Sequence, residues 1–225
     1  MSGKHTVVYV HGKGGSADEA EHYKKLCPTV QEYTVLSQRG IPLPADKKLF
    51  PECEVVGFDY SSQSPWKAKE EFPPFFNKIR EKCDRLTLIA NSIGAFFSMS
   101  SLDEKAVDEA YFISPIVNME KLISDMTEWA GVTEDELKSR GEIVTNFGET
   151  LSWNYLCYVR ENPVVWRVPT CILYGERDNL TSYETISAFA KEHGAKLTAM
   201  PNGEHWFHTD EQMSFLDEWI KKHNG

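Results

Sequence analysis

Ser92 stands in the stretch Leu86 to Phe97, Leu-Thr-Leu-Ile-Ala-Asn-Ser-Ile-Gly-Ala-Phe-Phe, with Ala90 two residues before it and Gly94 two after. A chain that turns straight from strand to helix crowds its backbone on both sides of the turning residue, so only small residues fit at those two places. Such a turn lifts the hydroxyl out at the strand's C-terminal end, over the positive end of the new helix. Taken alone, the spacing also fits a serine that merely caps a helix. A serine hydroxyl becomes a nucleophile when a base lies in hydrogen-bond reach and a carboxylate orients that base. In a parallel sheet the loops that follow strands gather at one edge, so the partners are sought there. Tyr174-Gly175-Glu176-Arg177-Asp178 and Pro201-Asn202-Gly203-Glu204-His205 both follow strand-like runs. They offer Asp178 or Glu176 as the acid, with Asp210 farther on, and His205 or its near neighbour His208 as the base. Gly203 suits a tight turn that would bring the His205 imidazole back over the sheet edge. His208 falls where the last helix should begin. The chemistry in view is acyl transfer through a serine ester.

These residues need a scaffold, and the hydrophobic pattern supplies one. Thr6–Val10, Glu54–Asp59, Leu86–Ala90, Ala110–Ser114, Thr170–Tyr174 and Leu197–Met200 are short apolar runs rich in β-branched or aromatic residues, the mark of strands buried on both faces. An edge strand is also expected at Tyr33–Leu36, within an irregular stretch from Gln31 to Lys48. Ser16 with Glu19 forms a capping box for a helix to about Leu26, where Pro28 stops it. Ser64-Pro65 opens a helix that Pro73-Pro74 should break, with a second segment running to about Cys83. Thr181 with Glu184 is expected to cap the next helix. Thr209 caps the last one, whose apolar stripe is Met213, Leu216, Trp219 and Ile220. Strand and helix alternate, so the sheet should be mainly parallel, of about six strands, with helices on both faces.

The alternation stops between Ile116 and Arg167. Helical patches are predicted there at Asn118–Trp129, Thr133–Arg140 and Asn146–Arg160, among the aromatics Trp129, Phe147, Trp153, Tyr155, Tyr158 and Trp166. The segment 116–167 reads as a helical lid inserted in a single domain spanning 1–225. Its aromatics suit the roof of an apolar pocket, with Trp153 and Tyr158 as candidate substrate contacts.

Composition narrows the function classes. The formal net charge is −10 over 225 residues, which argues against nucleic acid or an anionic membrane as partner. Five cysteines are scattered, without C-x-x-C, as expected of reduced thiols in a cytoplasmic protein. No run is apolar enough to span a bilayer, and no signal-peptide core leads the chain. No metal-ligand spacing appears. Gly12 to Gly15 lacks the remainder of a phosphate-cradling or dinucleotide fingerprint. Asp59 reads as a loop cap, and the remaining histidines His5, His22, His193 and His223 as core-edge or solvated side chains.

Four motifs in order carry a resemblance over nearly the whole chain. They are His11-Gly12-Lys13-Gly14-Gly15 after the first strand, Ala90-Asn91-Ser92-Ile93-Gly94, Tyr174-Gly175-Glu176-Arg177-Asp178, and Gly203-Glu204-His205-Trp206-Phe207. Together they resemble the α/β-hydrolase superfamily, and within it small bacterial esterase-like and serine-aminopeptidase-like members. The sequence departs from the family in having alanine at the first elbow glycine. It also starts at what matches the family's third strand. The resemblance implies Ser92 as nucleophile, His205 as base and Asp178 as its orienting acid. The backbone N–H groups of Lys13 and Ile93 would form the oxyanion hole, and the Lys13 side chain reads as a plain surface lysine rather than as an attractor of an acidic substrate. No cofactor is implied. The expected activity is a serine hydrolase cleaving a small carboxylic ester, a small-molecule acyl substrate. Thioester, amide or aminopeptidase chemistry on the same triad, or a non-catalytic small-molecule receptor, are the alternatives.

Overall fold

The computed structural model describes residues 4–24, 38–40 and 53–223. The helix end at Leu26 and Pro28 and the edge strand at Tyr33–Leu36 lie outside them. Six strands form one sheet: β1 His5–Val10, β2 Cys53–Phe58, β3 Arg85–Asn91, β4 Glu109–Ile113, β7 Thr170–Gly175 and β8 Lys196–Met200. Their order is β2-β1-β3-β4-β7-β8, and every neighbouring pair is parallel. The chain runs from β1 out to β2 on one side, then returns to lay β3 on the other side of β1. The order therefore reverses between β1 and β3, the place where open parallel sheets form a crevice at their C-terminal edge.

Alternation along each strand divides the apolar residues between two cores. Val8, Val10, Leu88, Ala90, Phe112 and Ile172 face one side, with the helices α2 Pro65–Arg80, α3 Ser92–Ser101 and α7 Tyr183–His193. Val7, Tyr9, Ile89, Tyr111, Ile113 and Leu173 face the other, with α1 Ala20–Lys24 and α8 Asp210–His223. Both faces are covered, which is why these strands read as continuous apolar runs rather than as alternating ones. The stripe predicted on α8 is the one used: Leu216, Trp219 and Ile220 are buried, and Met213 packs at their edge. Thr209 caps α8, its hydroxyl accepting from the Gln212 N–H.

Two predicted boundaries shift. Helix α2 runs unbroken through Pro73 and Pro74. Each proline removes one backbone donor, but Phe72 and Phe76 are wholly buried around them, so packing holds the helix that propensity would break. The cap of α7 is Ser182, whose hydroxyl accepts from the Thr185 N–H. Thr181 donates its own N–H to Asp178 instead.

Between β4 and β7 the chain leaves the sheet for 116–167. Helix α4 covers Met119–Trp129 and α5 Glu134–Arg140, as the periodicity predicts. The third patch divides: β5 Glu142–Val144 and β6 Thr150–Ser152 form an antiparallel hairpin, and α6 begins only at Trp153 and ends at Glu161. The turn explains it. Gly148 adopts φ +86°, and the Thr145 hydroxyl accepts from the Glu149 N–H, so the chain reverses where a helix would have continued. Cys83, Cys157 and Cys171 are free thiols. Among the described residues no helix is long and apolar enough to cross a membrane, and no group of His, Cys, Asp and Glu could hold a metal ion.

Candidate active site

Ser92 occupies the tip of a turn that goes from β3 to α3 without a connecting residue. Its φ is +48°, a left-handed conformation that costs a non-glycine residue free energy and is held by the surrounding structure. The small neighbours have visible causes. A Cβ on Gly94 would run into the His11 carbonyl oxygen and press on Val10. Ala90 is wholly buried beneath the turn. Gly12 approaches so closely that a Cβ there would sit 3.3 Å from the Ser92 Cβ.

His205 Nε2 lies 2.8 Å from Ser92 Oγ, and His205 Nδ1 lies 2.7 Å from Asp178 Oδ2. A carboxylate only accepts, so Nδ1–H donates to it; Nε2 is then the acceptor and the Ser92 hydroxyl the donor. The Asp178 side chain is fully enclosed. Its second oxygen, Oδ1, accepts from the N–H groups of Leu180 at 2.8 Å and Thr181 at 3.0 Å, which fixes the direction of Oδ2. Glu176, Asp210 and His208 are not brought to Ser92. The His208 ring stacks on Trp206 and its Nδ1 bonds the Trp206 carbonyl, while its backbone N–H goes to Gln212 ahead of α8.

The acid and histidine loops touch through glycines. Arg177 N–H donates to the Gly203 carbonyl at 2.7 Å, and Glu176 N–H to Met200 at 3.1 Å. A Cβ on Gly175 would lie 2.5 Å from the Glu204 carbonyl oxygen and from the Gly203 carbonyl. Gly203 is needed for this close approach. The left-handed turn residue beside it is Asn202, at φ +58°, so the expectation that Gly203 makes the turn is corrected.

A second network ties the loop after β1 to the elbow. Glu19 accepts from the Ser16 N–H through one carboxylate oxygen and from the Tyr9 hydroxyl through the other. The same hydroxyl accepts from Asn91 Nδ2 at 3.0 Å. Asn91 directly precedes Ser92, so one carboxylate anchors both sides of the crevice. Lys13 lies in the turn between Gly12 and Gly15. Ile93 lies in the first turn of α3, where backbone N–H groups have no partner within the helix.

Ser92 opens into a cavity of about 960 Å³. One wall is the β1 loop, with Lys13 and Ile93. The facing wall is the inserted segment: Met119, Leu122, Ile123 and Met126 present one face of α4, joined by Trp129, Phe147 and Tyr155. Lys13 Nζ pairs with Glu149 in the β5–β6 turn, joining the two walls. Trp153 and Tyr158 do not line the cavity. Trp153 lies against Lys138 of α5, and Tyr158 against Trp66 and Lys69. Tyr155, which also packs against Trp66, reaches the cavity in their place, as do Tyr60 and Trp66. Those two follow β2 and open α2, where apolar periodicity carried no mark of a site. Asp59 is exposed and outside the cavity.

The sequence matches no family model and no curated protein. Solved structures do match along the chain's length. Est1E from Butyrivibrio proteoclasticus superposes with a TM-score of 0.68 at 15% identity, over 97% of this chain and 86% of that one. The mouse α/β-hydrolase domain-containing protein 10 gives 0.66 at 12%, over 96% and 88%. A monoacylglycerol lipase from Paleococcus ferrophilus gives 0.57 at 14%, over 97% and 94%. With a parallel six-stranded sheet, an elbow serine after the third strand and this likeness along its whole length, the chain has the α/β-hydrolase fold.

Proposed function

We infer that the protein is a serine hydrolase that cleaves a small carboxylic ester through an acyl-enzyme. The observation that carries this is the continuous chain from Ser92 Oγ through His205 to the enclosed Asp178 carboxylate, at 2.8 and 2.7 Å. In this reading Ser92 Oγ attacks the acyl carbon as its proton passes to His205 Nε2. Asp178 holds the Nδ1–H tautomer and stabilises the imidazolium that forms. The negative oxygen of the tetrahedral intermediate is met by the N–H of Ile93, at the positive end of α3, and by that of Lys13. As the intermediate collapses, His205 returns the proton to the leaving alcohol. Water then repeats the sequence on the acyl-enzyme and frees the carboxylic acid.

The inserted segment 116–167 acts in this reading as a lid of a single domain. Its apolar α4 face lies across the cavity from Ser92 and would hold an acyl or alkyl chain. One neighbour is named a monoacylglycerol lipase, a name that accords with ester chemistry.

Treatment with a fluorophosphonate, followed by peptide mapping, tests the assignment. The adduct is expected on Ser92 and absent from Ser92→Ala. Labelling that persists in that variant would overturn the reading. Turnover of matched ester, thioester and amide substrates then ranks the bond cleaved.

A further inference from the structure

Two polar side chains of the cavity each carry a buried atom that has no hydrogen-bond partner among the described residues. His11 is 7% exposed; its Nδ1 lies 2.8 Å from the Gly12 carbonyl, and its Nε2 is buried and unpaired among the described residues. The Tyr155 hydroxyl is likewise buried and unpaired. Both residues line the cavity that opens at Ser92. Tyr60 is their common neighbour. Its ring stacks on His11 at 4.3 Å and 13°, and its hydroxyl is committed to the His11 carbonyl. Burial, and then the proximity of Tyr60, push the Tyr155 phenol well above its ordinary range, so it stays protonated and able to donate.

Leaving a buried donor or acceptor unmet costs free energy that a bare apolar cavity would not incur. The protonation pattern says what would satisfy these two. A carbonyl only accepts, so His11 Nδ1 donates to Gly12, and in the neutral ring Nε2 is a lone pair that needs a donor. Tyr155 can donate or accept. An alkyl group answers neither atom, and a carboxylate has no proton for Nε2. A hydroxyl answers both.

We propose that the wall around Tyr60 is a hydrogen-bonding subsite for an uncharged hydroxyl of the substrate, with His11 Nε2 accepting and Tyr155 donating. The substrate class is then a hydroxylated ester: an apolar chain against the α4 face, with a hydroxyl set apart from the bond that Ser92 attacks. This rests on the ester-hydrolase reading for its reaction but not for its binding. A site built to bond a hydroxyl discriminates strongly against an analogue that lacks one, because its own polar atoms are otherwise left unpaired.

The test uses p-nitrophenyl esters of ω-hydroxyalkanoic acids against the unsubstituted alkanoates of equal length, with glycerol and propyl esters as the alcohol-side pair. The wild-type protein should favour the hydroxylated member of one pair by tenfold or more in kcat/KM, and the pair that responds places the hydroxyl on the acyl or the alcohol side. In Tyr155→Phe and in His11→Phe that preference ratio should fall about tenfold. A ratio near one in the wild-type protein for both pairs, or a preference the variants leave intact, overturns the proposal. Calorimetric binding of ω-hydroxyalkanoates and alkanoates to Ser92→Ala reads the same preference without turnover. If no ester is hydrolysed but that preference is present and lost in Ser92→Ala/Tyr155→Phe, the reaction assignment fails and the subsite stands. Equal binding of the two acids sinks the subsite whatever the reaction.

Discussion

Replacing Gly175 with alanine should cost activity far more than stability. The added Cβ would lie 2.5 Å from the Gly203 and Glu204 carbonyls, whereas ordinary contact begins near 3.4 Å. One loop must therefore yield by about 0.9 Å, and both sides of the contact are backbone, so no side chain can swing away. Gly175 stands three residues before Asp178 and Gly203 two before His205, and the displacement falls on the 2.7 Å bond between them. A shift of about 1 Å in a catalytic group costs on the order of a hundredfold in rate. Overpacking at one tight position costs about 1–3 kcal/mol, or about 2–12 °C in Tm for a domain of this size. Gly203→Ala is the milder companion: its Cβ would meet the Gly175 Cα at 3.0 Å, so it should lower kcat less. Melting by circular dichroism and steady-state hydrolysis of a p-nitrophenyl ester measure the two effects separately. A Gly175→Ala protein that melts lower yet keeps kcat within twofold would refute the claim that this backbone contact sets the Asp178–His205 alignment.

Other predictions follow from the same geometry. His205→Ala should lower kcat by several powers of ten and His208→Ala by less than tenfold, since His208 is bonded to Trp206 and not to Ser92; equal losses in steady-state assays would contradict this. Tyr9→Phe should reduce kcat more than it raises KM, because the lost hydroxyl links Glu19 to Asn91 beside Ser92; a change in KM alone would argue against that link. Acid stability should depend on Glu71 and Asp108. Burial alone would raise both carboxyls, but the Ser61 and Ser62 donors outweigh it at Glu71, and Arg80 with the Leu86 N–H outweighs it at Asp108. Both therefore end below their ordinary values of 4.5 and 3.8. A depressed folded-state pKa contributes stability that is present above the unfolded value and lost as pH falls through the folded one. Urea midpoints should thus drop from about pH 4.5 downward, and less steeply in Glu71→Gln and Asp108→Asn; identical slopes would contradict it.

What could be read in the sequence was governed by local sterics and by period. Ala90 and Gly94 announce the elbow because the crowding that demands them comes from residues two places away and from the adjoining β1 loop. The strands were legible because both faces of the sheet are covered, so burial leaves an unbroken apolar run. The Pro73-Pro74 pair does not break the helix because the compensation comes from Phe72 and Phe76 packing against Phe58 and from Phe72 against Phe97 of α3, contacts that local propensity does not register. The hairpin at β5–β6 was hidden because its turn rests on Gly148 and on a side-chain bond from Thr145, which apolar periodicity does not register.

The site divides along the same line. Ser92, Asp178 and His205 each follow a strand, and the sheet's parallel order alone carries them to one edge. The choice of Asp178 over Glu176 has a physical ground that no spacing reveals: the N–H groups of Leu180 and Thr181 hold one of its oxygens and aim the other at His205. The cavity wall was harder still, because helix phase decides it. Trp153, Tyr155 and Tyr158 all lie on α6, and each residue turns the direction by about 100°. Moving the predicted helix start from Asn146 to Trp153 gives no purchase on which of the three faces Ser92, since that depends on how α6 docks against α4 and Trp66. Trp153 and Tyr158 went to packing against Lys138 and Lys69, and Tyr155 went to the cavity. The residues proposed for the reaction are tied to strand ends, whereas those proposed to choose a substrate are tied to the docking of the inserted segment. The first group is accordingly legible one motif at a time, and the second only once the insertion is in place.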